Sequence, residues 1–492
     1  MALTKQSLDK DLEKIVHVEA ATRMAASGIV SHGLAVVFLG LSALIAAVYA
    51  GVATDSALII FAAILGGYMA LNIGANDVAN NVGPAVGSRA LTMVGALLIA
   101  AIFESAGALL AGGDVVKTIS KGIIDPTLVA SNDIFIRAMM AALISSAIWV
   151  NLATFVGAPV STTHAVVGGV MGSGIAAVGF QLVNWSTMGA IAASWVISPL
   201  LGGVIAALFL AFIKINLIYQ EDKIAAARRW VPMLVAIMAA AFACYLSIKG
   251  LKHIWRPDAL TVAAIGVTAF ALVWLLVHPL IRRQSRGMEN RNQSLRILFR
   301  IPLICSAALL SFAHGANDVA NAIGPLAAIL HSAQYGDIAA KVEVPTWIML
   351  IGAFGISLGL FLYGPKLIRM VGAKITKMNP MRAYCVALSA AITVIVASWL
   401  GLPVSSTHIA VGAVFGVGFF REYYTKHSRK RRDMVRPAVE DGEEDWRPIE
   451  EIRHRKLVRR SHFLTIVAAW VITVPATAAL SACLFYGLSL LF

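Results

Sequence analysis

Asp77 and Asp318 stand inside strongly apolar stretches of the chain, each in nearly the same setting: GANDVANNVGPAVG at 74–87 and GANDVANAIGPLAAI at 315–329. An ionised carboxylate in the hydrocarbon core of a bilayer is costly, so such a residue faces a partner or a wet cavity and marks function by default. On a helix Asn76 and Asn80 share a face, being four residues apart, with Asp77 at its border; Asn317, Asn321 and Asp318 repeat the arrangement. Gly74, Gly83 and Pro84, with Gly315, Gly324 and Pro325 in the second copy, are expected to break the helices there. Carboxylate, amide and freed backbone oxygens together suit a hard cation. Sodium could be held at Asn76, Asp77, Asn317 and Asp318, with Asn80 and Asn321 beside them, or an Asp could instead carry a proton. A packing network of Asn and Asp between helices is the alternative, and duplication at matched positions argues against it.

A second pair of segments, APVSTTHAVVGGVMGSG at 158–174 and LPVSSTHIAVGAVFGVG at 402–418, has the form of a helix start. Gly157 or Gly401 ends the preceding helix, Pro159 or Pro403 pre-sets the turn, and Ser161, Thr162, Thr163 or Ser405, Ser406, Thr407 follow at capping positions. Unpaired amides at such a terminus, with hydroxyl donors beside them, attract an oxyanion without any Lys or Arg. Simple capping of the backbone is the plainer account, and it explains one copy better than two. His164 and His408 could donate to the anion or titrate, and we read them as supporting residues that orient a neighbouring hydroxyl. Glu104, in AIFESAGALLAGG, is another acid in an apolar segment; it could bind a coupling cation or pair with Arg89 or Lys117.

The elements that must position these residues are transmembrane helices. Of 492 residues, 59% are hydrophobic and 13% charged, and the mean hydropathy is +0.79, far from soluble domains. The apolar runs have the length a helix at ~1.5 Å per residue needs to cross about 30 Å of hydrocarbon. They lack the alternation of a membrane barrel. The expected fold is an all-α polytopic membrane protein of about twelve transmembrane helices in two inverted repeats with broken or re-entrant helices. Both motif pairs recur in the same order, and Trp195-Val196-Ile197-Ser198 returns as Trp470-Val471-Ile472-Thr473, which marks a tandem duplication.

Matched loops differ in charge, and this orients the copies. GVATDSA precedes the first GANDVAN helix, whereas Arg282, Arg283, Arg286, Arg291 and Arg296 precede the second. GGDVVKTISKGIIDPTLVASND is answered by the basic GPKLIRMVGAKITKMNPMR, and QLVNWST by the loop 421–461 with KHSRKRR. If basic loops stay cytoplasmic, the copies face opposite ways. The expected divisions are a cytoplasmic N-terminal segment 1–26, a first helix in 27–56, repeat 1 in 57–215, connecting helices and a basic loop in 216–297, and repeat 2 in 298–492. The charged insertion 421–461, within repeat 2, is expected in the cytoplasm with a short helix over 448–460. The chain is thus expected in the cell inner (plasma) membrane, without a removable signal peptide. The net charge of +14 belongs to these loops and not to a nucleic-acid site. Cys244, Cys305, Cys385 and Cys483 are scattered, with neither disulfide nor zinc spacing. No HExxH, GxSxG or nucleotide motif is present, so an enzyme is not expected. A channel would show a continuous polar stripe on several helices, and here the polar residues cluster.

With GANDVAN twice and PVSTTH and PVSSTH in register, the chain resembles the inorganic phosphate transporter (PiT) family from about residue 57 to 485. VGSRALTMVGALLIAAIFESAGALLAGGDVVKTISKGIID is similar to the corresponding segment of sodium-dependent members. The resemblance implies a phosphate importer working by sodium or proton symport through alternating access. It places phosphate between the repeats, against Asp77, Ser161, Thr162, Thr163, Asp318, Ser405, Ser406 and Thr407, with Asn76, Asn80, Asn317 and Asn321. The coupling-cation candidates are then Asn76, Asp77, Asn80, Glu104, Asn317, Asp318 and Asn321. Ser406 stands where the first copy has Thr162, which keeps the donor and loses a methyl. A sulfate or other oxyanion permease of the same fold is the nearest alternative, and an anion channel a remoter one. The expected partners are inorganic phosphate, a coupling cation and the lipid bilayer, with a homodimer allowed and no cofactor.

Overall fold

The computed structural model describes residues 28–49, 56–125, 128–158, 160–250, 257–335, 344–374, 378–428 and 460–491. The N-terminal segment 1–26 and the expected helix at 448–460, up to its last residue, lie outside them, as does all of the insertion beyond 428 as far as 459. The chain is helical among the described residues, apart from an isolated bridge between Ile124 and Val183. Among the described residues, eleven helices are long and apolar enough to cross a membrane, and one shorter apolar helix, Thr162–Val178, joins them, close to the twelve expected.

In chain order α1 is Gly28–Tyr49, α2 Ser56–Gly87, α3 Met93–Ala111, α4 Gly113–Lys117, α5 Asn132–Val156, α6 Thr162–Val178 and α7 Trp185–Ile213. Then come α8 Lys223–Tyr245, α9 Ala259–Gln284, α10 Asn292–Leu298, α11 Arg300–Tyr335, α12 Thr346–Lys374, α13 Pro380–Trp399, α14 Ser406–His427 and α15 Arg460–Leu491. The two GANDVAN motifs lie in α2 and α11, and the two PVS(T/S)TH motifs open α6 and α14.

Packing between the copies is crossed. Helix α2 packs along α12 and α3 along α11, while α6 packs along α15 and α7 along α14. Small residues permit this. A side chain at Gly74 would lie 1.9 Å from the Ile356 carbonyl oxygen, and one at Gly315 would lie 2.0 Å from that of Glu104. Backbones touch there, as small-residue interfaces allow between membrane helices. Gly66 on α2 faces Leu326 on α11, whereas Asp77 further along α2 faces His314. The two equivalent helices therefore run antiparallel.

One expectation fails at these glycines. Helices α2 and α11 run unbroken through Gly74, Gly83 and Pro84 and through Gly315, Gly324 and Pro325. Gly74 and Gly315 serve close approach rather than a break. Each proline still removes one helical donor, so the carbonyls of Asn80 and Asn321 lose the N–H that would lie four residues on. The breaks fall elsewhere. Gly157 (φ 75°) ends α5 and Gly401 (φ 70°) follows α13, and Ser161 and Ser405 then cap α6 and α14. Helices α5 and α6 run antiparallel, with Ser146 donating to the Ala165 carbonyl, so each PVS(T/S)TH motif is the tip of a helical hairpin.

Candidate functional site

The two hairpin tips meet. Thr163 Oγ1 donates to the Val404 carbonyl at 2.9 Å, and Trp195 Nε1 of α7 donates to that of Pro403 at 3.3 Å. The amides of the GANDVAN helices pin each tip from the side. Asn317 Nδ2 donates to Ser398 Oγ (2.9 Å) and the Leu402 carbonyl (3.2 Å), and its Oδ1 accepts from the Val404 N–H (3.2 Å). The Asn76 amide meets Thr154 Oγ1 at 3.0 Å in the matching place. Asn76 and Asn317 thus hold backbone turns as well as lying beside the carboxylates.

Asp77 accepts from both hairpins. Thr162 Oγ1 donates to Oδ2 and Thr407 Oγ1 to Oδ1, each at 2.9 Å. Asn80 Nδ2 donates to Thr407 Oγ1 at 2.8 Å. In the second copy Ser406 Oγ donates to Asp318 Oδ2 at 3.1 Å, and Asn321 Nδ2 donates to Thr163 Oγ1 at 3.1 Å and Thr162 Oγ1 at 3.3 Å. Asp77, Asn80, Thr162, Thr163, Asp318, Asn321, Ser406 and Thr407 therefore form one buried cluster. Ser161 and Ser405 turn the other way, accepting from the backbone N–H of His164 and His408 as helix caps.

The symmetry breaks at three residues. Asn81 Nδ2 donates to Glu104 Oε1 at 2.7 Å, and His314 Nδ1 lies 3.3 Å from that same oxygen. His314 Nε2 lies 3.0 Å from Asp318 Oδ2 and 3.8 Å from Asp77 Oδ2. Glu104 therefore pairs with neither Arg89 nor Lys117. Gly107 and Gly359 occupy matched places against α11 and α2, facing the Phe312 and Leu71 carbonyls at 2.0 Å each. By that register Glu104 corresponds to Ile356, His314 to Ile73 and Asn81 to Ala322. A search for repeated residues could not find Asn81 and His314, because what marks them is their departure from the repeat.

The histidines at the hairpin tips do something other than expected. Neither His164 nor His408 hydrogen-bonds a site hydroxyl. Their rings meet edge to face at 4.4 Å and pack on Trp195 (3.8 Å) and Trp470 (3.7 Å) respectively. An aromatic stack, rather than an orienting hydrogen bond, is what the repeated Trp supplies.

Asp77, His314 and Asp318 present ligand atoms within 4.8 Å of one another. Asp318 Oδ1, Asn321 Oδ1, Asn81 Oδ1 and Glu104 Oε2 are buried acceptors with no hydrogen-bond partner. Buried acceptors ordinarily find a partner, and a set of oxygens around carboxylates is the donor chemistry of a hard cation. One imidazole, that of His314, stands among these three buried carboxyl groups.

A family model described as the phosphate transporter family matches residues 73–481. A Helicobacter pylori protein named "Putative phosphate permease" is 45% identical over 97% of this chain and 98% of its own. A Pyrococcus abyssi protein of similar name is 35% identical over 86% of this chain and 96% of its own. Among solved structures, one described as "The sodium-dependent phosphate transporter" is 35% identical, with a TM-score of 0.78 over 89% of this chain and 100% of that one. These are transporters and not enzymes, and the chain is a multi-pass membrane protein that belongs to the phosphate transporter family.

Proposed function

We propose that this chain imports inorganic phosphate by symport with sodium, binding both at the cluster between α2, α11 and the hairpin tips, and that the two antiparallel copies exchange the site between membrane faces by alternating access. The observation that carries the proposal is that both oxygens of Asp77 are occupied by hydroxyls from opposite hairpins, Thr162 and Thr407. A cation taken up by Asp77, Asp318 and their unpartnered neighbours would compete for the oxygens that now accept from Thr162, Thr407 and Ser406. Those hydroxyls are then free to donate to an oxyanion. Cation binding first is thus the order the site favours, and it supplies the coupling. A phosphate dianion in a low-dielectric site without compensating charge is prohibitive, whereas the cation-loaded site is nearer neutral. Sodium is supported by the solved relative, which is named as sodium-dependent. A proton is the second reading, favoured by His314 standing between Glu104 and Asp318.

The face bearing Arg296, Arg382 and Arg421, which lie near one another, is assigned to the cytoplasm by its charge. Labelled phosphate uptake into proteoliposomes under an imposed sodium or proton gradient, with sulfate as competitor, tests the reading. Uptake should follow the sodium gradient and vanish in Asp77→Asn and in Asp318→Asn, with both variants still folded by size exclusion. Full coupled uptake in either variant, or a rate indifferent to both gradients, would refute it.

A further inference from the structure

A cavity of about 850 Å³ lies between α1, α2, α5 and α12. One wall is polar. Asn151 Nδ2 donates to Asn72 Oδ1 at 3.1 Å, and Asn72 Nδ2 to the Tyr68 carbonyl at 2.9 Å. The wall continues to Thr154, whose hydroxyl touches Asn76, the neighbour of Asp77. Polar side chains in a membrane helix line water or a pathway rather than lipid. Lys366 and Arg369 also line the cavity, both are exposed, and among the described residues neither has a carboxylate within ion-pair distance. Lys366 Nζ instead stands 5.9 Å from the centre of the Phe155 ring.

The matched region on the opposite face is built to be shut. Where α2 and α5 carry Tyr68, Asn72 and Asn151, α11 and α13 carry Leu309, Ala313 and Ile395. Phe312 fills the space, with the Phe242 ring 4.9 Å away and the Tyr245 ring 6.4 Å away. GPKLIR at 364–369 corresponds to GGDVVK at 112–117, so Asp114 stands at the place of Lys366. Asp114 is paired with Lys249 at 2.8 Å, and Lys249 also donates to the carbonyl of Trp399, the counterpart of Phe155. One face therefore has a latched apolar plug. The other has an open cavity with one polar wall, and among the described residues its two cations have no such acid.

We propose that this cavity is the vestibule by which phosphate reaches and leaves the cluster on the basic face, and that Lys366 and Arg369 capture the anion at its mouth. The proposal rests on the phosphate-transport reading and adds the route and the residues that gather substrate. Two cations at the rim of a low-dielectric cleft raise the local concentration of an oxyanion and speed its entry. The polar wall then offers hydrogen bonds that replace part of its water. A phospholipid headgroup presents the same phosphate chemistry to such cations, so the test separates the two sources.

Labelled phosphate exchange is measured in right-side-out and inverted membrane vesicles, which load each face separately. Lys366→Gln and Arg369→Gln should each raise the half-saturating phosphate concentration about tenfold on the basic face only. Lys366→Arg should restore it. The rise should persist in proteoliposomes made of galactolipid, which contains no phosphate. An unchanged half-saturation on both faces, or a rise that disappears in galactolipid, would assign the cations to lipid headgroups and overturn the vestibule. An equal rise on both faces would place the effect in the binding cluster and overturn it as well. Absence of saturable exchange in the unmodified chain would instead bring down the phosphate reading itself, and the vestibule with it.

Discussion

At the scale of single residues, the site is a nearly symmetric set of hydrogen bonds with an asymmetric centre. Thr407 serves Asp77 as donor and Asn80 as acceptor, whereas Thr163 spends its proton on the Val404 carbonyl. Thr407→Val should therefore weaken phosphate binding more than Thr163→Val. Losing a hydroxyl that the cation-loaded site would release to the anion costs about 1–3 kcal/mol, a rise of roughly 5- to 150-fold in the half-saturating phosphate of an uptake assay. Equal effects of the two changes would contradict the assigned roles. Glu104 and His314 are coupled by proximity, 3.3 Å apart and fully buried. A double-mutant cycle of Glu104→Gln and His314→Gln, read as thermal stability in detergent, should show about 0.5–3 kcal/mol of coupling. Strict additivity would mean that the imidazole does not interact with this carboxylate.

At the scale of elements, the decisive features are two hairpin tips and two backbone contacts. Ser161 and Ser405 start α6 and α14 so that the following hydroxyls project toward α2 and α11. The positive φ at Gly157 and Gly401 lets the chain turn back just before each cap, where a side chain would cost about 1–2 kcal/mol. Gly315 has a different duty. Its missing Cβ lets α11 rest on the backbone of α3 beside Glu104, which carries His314 to within reach of that acid. Gly315→Ala must push apart two backbones that cannot yield as a flexible side chain would, at about 1–3 kcal/mol or more. Its melting temperature should fall below that of Gly83→Ala, since a side chain at Gly83 meets nothing within 4 Å. The reverse order would show that α3 and α11 are not in backbone contact.

At the scale of the molecule, the copies are intertwined rather than side by side, each lending its second helix to the first helix of the other. Ser105 of α3 and Ser357 of α12, matched positions of the two copies, touch with their hydroxyl oxygens at 2.6 Å. Cysteines placed at both positions should join within one chain on mild oxidation and shift its mobility on a reducing-versus-nonreducing gel. The four native cysteines form no disulfide among themselves, so the background is low. Failure of the pair to cross-link would contradict the crossed packing. The two faces differ in spite of the duplication: one is closed by Phe312 and the Asp114 to Lys249 pair, and the other holds the cavity with the Asn72 and Asn151 wall.

Much of this was legible in the chain itself. Apolar length specifies membrane helices, repeated motifs specify two equivalent units, loop charge specifies their opposed directions, and Gly-Pro-Ser spacing specifies where α6 and α14 begin. These are local or repeated signals, and each depends on residues close together in sequence. Only the tertiary structure decided that Gly74 and Gly315 serve contact rather than a break, since a glycine's neighbour across a helix interface is invisible along the chain. It alone turned His164 and His408 onto tryptophans. It alone brought Asn81, Glu104 and His314 together from three distant segments. Such convergence depends on how helices cross: Glu104 was marked by its charge in an apolar segment, but nothing in the repeat singled out Asn81 and His314 until the fold showed what they stand beside.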